Sequence, residues 1–206
     1  MDDYEIVYNK IRDEIRKENK FTNLEVPNLF TKKLGSYMLI RDDLIFIKEN
    51  TQQLIRLNQN KKESENNIRI SLWYAIIAIY GKCFTQNKAG MSVLNKNECV
   101  PDNGLNEIHE HLLALRHSYV AHRDDTEHEK FIVYLQIPND HLPSRNNYKI
   151  KSYRSICADN ETLHQYVELF DVLIKYSEEK IQINADKVNK TFCSTFSAEE
   201  VARFKI

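Results

Sequence analysis

The chain has 206 residues, with 29 Lys and Arg against 30 Asp and Glu and a formal net charge of −1. This near balance excludes a general polyanion binder, so any nucleic-acid site must be a local basic patch. Only 4 Gly and 4 Pro accompany 42% hydrophobic and 29% charged residues, a mix that favours a soluble, mostly helical globule over a sandwich or a disordered chain.

A first helix is expected over residues 2–18, where Tyr4, Ile6, Val7, Ile11 and Ile15 recur at three- and four-residue steps behind an acidic start. The N-terminal Met1-Asp2-Asp3-Tyr4-Glu5 lacks the basic-then-apolar order of a signal peptide, so the expected compartment is the cytoplasm. Pro27 marks residues 21–28 as a connector. A long second helix is expected over residues 31–59, with Asn50-Thr51 as the point where it could break, and a solvated polar stretch follows over residues 58–67. Residues 68–84 are apolar almost all round and predict the central core helix. The apolar run inside it, residues 71–80, is too short to cross a bilayer. Residues 85–101 read as a polar loop. A fourth helix is expected from Asn103-Gly104 to about Val120, with Leu105, Ile108, Leu112, Leu115 and Tyr119 facing the core.

The pattern then changes period. Residues 131–137 are β-branched and aromatic and stop at Pro138; residues 148–156 alternate less cleanly. Together they predict a β-hairpin with a long loop over residues 139–147. A fifth helix is expected over residues 159–179, with Leu163, Tyr166, Val167, Phe170, Leu173 and Ile174 inward. A short last helix begins at Ser197, where Ser197-Ala198-Glu199-Glu200 fits a capping box. Cys83, Cys99, Cys157 and Cys193 form no C-x-x-C pair and read as reduced, buried thiols.

The segment that carries chemistry is Leu115-Arg116-His117-Ser118-Tyr119-Val120-Ala121-His122-Arg123-Asp124. Arg neutralises charge on the non-bridging oxygens of a phosphate, and His moves protons near pH 7. Spacing alone says little, because Arg123 and His128 also match an Arg–His pair four to six residues apart. Context separates the two: the second pair lies in a charged turn, whereas Arg116 and His122 end a helix with a buried stripe. On a regular helix Arg116 and His122 stand about 120° apart. They meet if the helix ends or distorts near Val120, or across a two-fold dimer interface that brings two Arg and two His together.

A core helix, a loop and a helix ending in Leu-Arg-His-x-x-x-Ala-His-x-Asp resemble the HEPN superfamily, and within it the abortive-infection branch; residues 73–84 also resemble the core helix of that branch. The resemblance covers residues 68–124, with Arg116, His117 and His122 on its motif. It implies a mainly α, HEPN-like helical bundle as one domain over residues 1–206. This comprises N-terminal helices over 1–60, a motif-bearing core over 68–122, a small β-hairpin insertion near 131–157, and C-terminal helices over 159–206.

The resemblance also implies metal-independent endoribonuclease activity on RNA at a homodimer interface, without cofactor, in phage defence or a toxin–antitoxin pair, with an antitoxin or other defence-system partner. Arg116 and His122 would be catalytic, His117, Tyr119 and Asp124 supporting, and Arg123 substrate-binding. Members that partner nucleotidyltransferases carry a Tyr two residues after the motif His; Asp124 stands there in this chain. The alternative is a non-catalytic dimeric interaction or regulatory module. Cations at a helix C-terminus also complement its dipole without any chemistry.

Other candidates read as bland. His109, His111, His117, His122 and His128 lack metal-ligand spacing and are expected as exposed helix histidines. Lys61-Lys62 and Lys149, Lys151 and Arg154 read as solvated faces, and Trp73 as core. Ser118 has no arrangement of base and oxyanion donors around it.

Overall fold

The computed structural model describes residues 3–18, 23–60, 62–86, 90–102, 104–121, 129–136 and 147–205. They form α1 (Asp3–Arg16), α2 (Asn28–Asn60), α3 (Asn66–Phe84), α4 (Lys96–Cys99), α5 (Leu105–Leu115), a π-helical turn (Arg116–Ala121), β1 (Glu129–Gln136), β2 (Asn147–Arg154), α6 (Asn160–Thr195) and α7 (Ala198–Val201). The protein is mainly helical, with one small antiparallel sheet. No helix among the described residues is long and apolar enough to cross a membrane.

Two long helices make the frame. α2 has 33 residues and α6 has 36. They run antiparallel: Lys48 pairs with Asp171 at 2.5 Å, while Asn58, further along α2, meets Asn160 at the start of α6 at 3.1 Å. α3 packs into the angle between them and supplies Trp73, Ile76, Ile77 and Tyr80 to the core. α5 closes the layer with Leu105, Leu112 and Leu115. α3 is central but not wholly enclosed: Trp73, Ile76, Ile77 and Tyr80 are buried, while Ile68, Ser71, Ala78 and Lys82 form an exposed side.

Several expected boundaries shift, each for a physical reason. α2 does not break at Asn50-Thr51, because Thr51 is buried and its hydroxyl donates to the Ile47 carbonyl at 2.7 Å, which satisfies it inside a continuous helix. The loop over residues 85–101 contains the short helix α4, capped by Asn95, whose side chain accepts from the Asn97 amide. α6 runs 16 residues past position 179, to Thr195. Val188 and Phe192 keep its buried face going, and Asn184 donates to the Lys180 carbonyl at 2.7 Å. At the C-terminus the capping box forms as read: the Ser197 amide donates to Glu200 Oε2 at 2.9 Å and the Glu200 amide to Ser197 Oγ at 3.3 Å. In α1, by contrast, Ile6, Val7 and Ile11 stay exposed, and the helix is tied down by polar contacts of Tyr8 and Arg12 to Glu25.

The chain leaving the hairpin is clipped to the bundle by Asn58. Its amide donates to the Ala158 carbonyl at 3.3 Å and to Asn160 Oδ1 at 3.1 Å, and its Oδ1 accepts from Cys157 Sγ at 3.2 Å. Asn58→Ala is expected to lower stability by about 1–3 kcal/mol, since it strands partners in a half-buried site. Urea unfolding followed by circular dichroism measures this.

Candidate active site

α5 keeps regular hydrogen bonding to Leu115 and then widens into the π turn Arg116–Ala121. The helix therefore stops being α-helical at the first residue of the Arg–His run. Such wide turns are rare and recur where a helix must re-aim side chains. The backbone of Tyr119 lies within this turn; His122, Arg123 and Asp124 lie outside the described residues.

Arg116 is half-buried, and its position is set by Gly81 on α3. A Cβ added at Gly81 would stand 2.7 Å from Arg116 Cγ and 3.2 Å from Cδ. The aliphatic stem of Arg116 therefore lies directly on the α3 backbone, a close approach that only glycine allows. Arg116 there lines a cleft of about 460 Å³ between α2, the end of α3 and the segment before α4. Leu39, Ile40, Ala78, Met91 and Val93 make the apolar wall. Asp43 and Lys82, paired at 2.7 Å, make the polar one.

Ser36 holds the loop side of the cleft. Its hydroxyl accepts from the Ser92 amide at 3.1 Å and donates to the Lys32 carbonyl at 2.7 Å. Among the described residues no carboxylate lies within ion-pair distance of Arg116. Its Nη1 stands 3.3 Å from Nδ1 of the exposed His117. A guanidinium can only donate, so His117 Nδ1 is the accepting atom of this contact.

Of the predicted site residues, the structure brings Arg116 and His117 together. Gly81, Lys82, Asp43 and Ser36 were not singled out from the sequence. Gly81 alone left a signal: an isolated glycine inside an otherwise apolar helix indicates a close approach. Ser118 is occupied, its hydroxyl donating to the Ala114 carbonyl at 2.8 Å.

His109 corrects the expectation of exposed helix histidines. It is buried, with Tyr80 Oη 2.6 Å from its Nδ1 and the Phe84 ring edge-on at 4.6 Å between centroids. Leu105 and Leu112 share its face of α5 and carry it into the core. Burial lowers its pKa and raises that of Tyr80, so the Tyr80 hydroxyl donates to a neutral imidazole. Below the ordinary imidazole value of 6.5, the unfolded chain binds a proton that His109 refuses. Stability should therefore fall as pH drops from about 7 toward 5. The decline should be smaller in His109→Gln, as read by denaturation at the two pH values.

Burial likewise pushes the thiols of Cys83 and Cys99 up to about 12, so both stay protonated. Among the described residues no group of three His, Cys, Asp or Glu could hold a metal ion.

No protein-family model, no curated protein and no solved structure matches this chain.

Proposed function

We propose that this protein is a metal-independent endoribonuclease of HEPN type that works as a homodimer on RNA. The observation that carries the reading is Arg116: a half-buried arginine with its stem on Gly81, at the edge of an apolar-walled cleft, with His117 beside its guanidinium. An arginine held this way has given up its freedom before substrate arrives, which is what stabilising a transition state requires.

In the proposed reaction the ribose 2′-hydroxyl attacks the adjacent phosphorus. Its proton passes to an imidazole, the role given to His122. The bond from phosphorus to the 5′-oxygen breaks, and that oxygen leaves with a proton. Arg116 meets the extra negative charge on the non-bridging oxygens. His117 steadies the guanidinium, while the apolar wall of the cleft suits a flanking base. The products are a 2′,3′-cyclic phosphate and a 5′-hydroxyl. Tyr119 and Asp124 are given the orienting roles and Arg123 a phosphate contact. A place in phage defence or a toxin–antitoxin pair follows from the resemblance of the Arg116–Asp124 run.

The test is cleavage of single-stranded and transfer RNA in EDTA, with a substrate carrying a single 2′-deoxy residue at the mapped cut. Cleavage in EDTA that stops at the 2′-deoxy position supports the reading. Absence of cleavage, or cleavage indifferent to the 2′-hydroxyl, overturns it in favour of a non-catalytic interaction module.

A further inference from the structure

The β1–β2 hairpin is the most unusual surface of the molecule. Cross-strand partners in an antiparallel pair share a face, so the register sorts its side chains unambiguously. Phe131 opposes Ser152, Val133 opposes Ile150, and Leu135 opposes Tyr148, all on one face. Lys130 opposes Tyr153, Ile132 opposes Lys151, and Tyr134 opposes Lys149, all on the other. Beyond the Glu129–Arg154 rung at its base, the first face holds no charge. Its five large side chains, Phe131, Val133, Leu135, Tyr148 and Ile150, are 42% to 70% exposed. The second face places one lysine in each of three successive rungs, with Gln136 opposite Asn147 at its far end.

At its base Tyr153 borders a small pocket with Trp73 and His111, and the outward side chains of β1 and β2 are largely exposed. A two-stranded hairpin standing alone is marginally stable in water at best. A contiguous apolar patch of this kind marks a contact surface.

We infer that the apolar face of the hairpin, Phe131, Val133, Leu135, Tyr148 and Ile150, packs against the same face of a second copy of this chain. Three features select that occupant. The first is shape. Each rung joins a larger and a smaller side chain: Phe131 with Ser152, Ile150 with Val133, Tyr148 with Leu135. A two-fold axis running along the strands lays β1 of one copy over β2 of the other. Each larger side chain then sits on the smaller member of the same rung in its partner, with Phe131 over the Ser152 notch. The second is charge. This packing turns Lys130, Lys149 and Lys151 of both copies outward to water, whereas packing through the opposite face would bring six lysines together. The third is area. Five such side chains present on the order of 500 Å², so a symmetric pair buries on the order of 1,000 Å², which reaches the size of a specific interface.

The inference does not depend on ribonuclease activity, and it assigns the dimer contact to a surface separate from the Arg116 cleft.

Sedimentation or light scattering of the full chain tests it. The wild type is expected to be a dimer. Phe131→Asp and Ile150→Lys should each weaken dimerisation at least about tenfold, with the helical circular dichroism unchanged because both side chains are largely exposed on the hairpin. Ile132→Asp, on the same strand and equally exposed but on the lysine face, should leave the dimer intact. A Phe131→Cys chain mixed with a Ser152→Cys chain should form a disulfide-linked pair on mild oxidation, read on non-reducing gels against each variant alone. A monomeric wild type overturns the inference, as does an Ile132→Asp variant that dissociates as readily as Phe131→Asp. A dimer indifferent to Phe131→Asp and Ile150→Lys overturns the hairpin contact alone and leaves the proposed ribonuclease dimer standing.

Discussion

Arg116→Ala is expected to slow RNA cleavage by about 10²–10³-fold while leaving the helical fold in place, the loss typical of removing one group that stabilises developing charge. The effect should fall on the single-turnover rate more than on RNA binding, because Arg116 acts on charge that appears only in the transition state. Arg116→Lys should recover only part of the rate, since an ammonium lacks the two-pronged geometry that matches phosphate oxygens. Gly81→Ala gives an independent check. It adds a methyl group 2.7 Å from Arg116 Cγ and leaves every polar group in the cleft unchanged. A drop in cleavage of about tenfold or more is expected, from misaiming alone. Full activity in Gly81→Ala would show that the stem of Arg116 need not lie where the structure puts it, and full activity in Arg116→Ala would remove Arg116 from the mechanism.

Phe170→Ala is expected to be the most damaging of the core substitutions, costing about 3–5 kcal/mol. Phe170 is fully buried, with its ring 5.6 Å from that of Tyr80 and 6.3 Å from that of Tyr166. It therefore joins α6 to the face of α3 that also holds His109. A loss of that size takes a large share of the stability of an ordinary domain, commonly about 5–15 kcal/mol. The measurement is the urea midpoint by circular dichroism. A shift equivalent to less than about 1 kcal/mol would mean the site collapses around the lost ring.

Elements written in local pattern were legible in the sequence. The apolar run of α3, the β-branched strands and the Ser197–Glu200 box each carry their structure within a few residues. What was not legible depends on partners distant in sequence. The last 16 residues of α6 look polar when read alone, yet Val188 and Phe192 bury a continuing face, and Phe192 packs on Phe204. His109 read as an exposed helix histidine. It is a member of the core because Tyr80, 29 residues earlier, supplies the hydrogen bond that its burial demands. For the site, the run beginning at Arg116 drew attention by residue type. The cleft it borders did not, because Ser36 and Asp43, Lys82, and Val93 lie on three segments that only folding gathers.

The π turn at Arg116–Ala121 has a bearing on which changes this segment can accept. A turn that closes over five residues rather than four carries one residue more than a regular helix needs. Removing any one residue there would let α5 continue as an ordinary helix, and every later side chain would swing about 100° round the axis. The direction in which the end of the helix faces is therefore stored in a residue count. Substitutions within the turn can alter its chemistry one group at a time, but a single deletion would re-point the whole run at once.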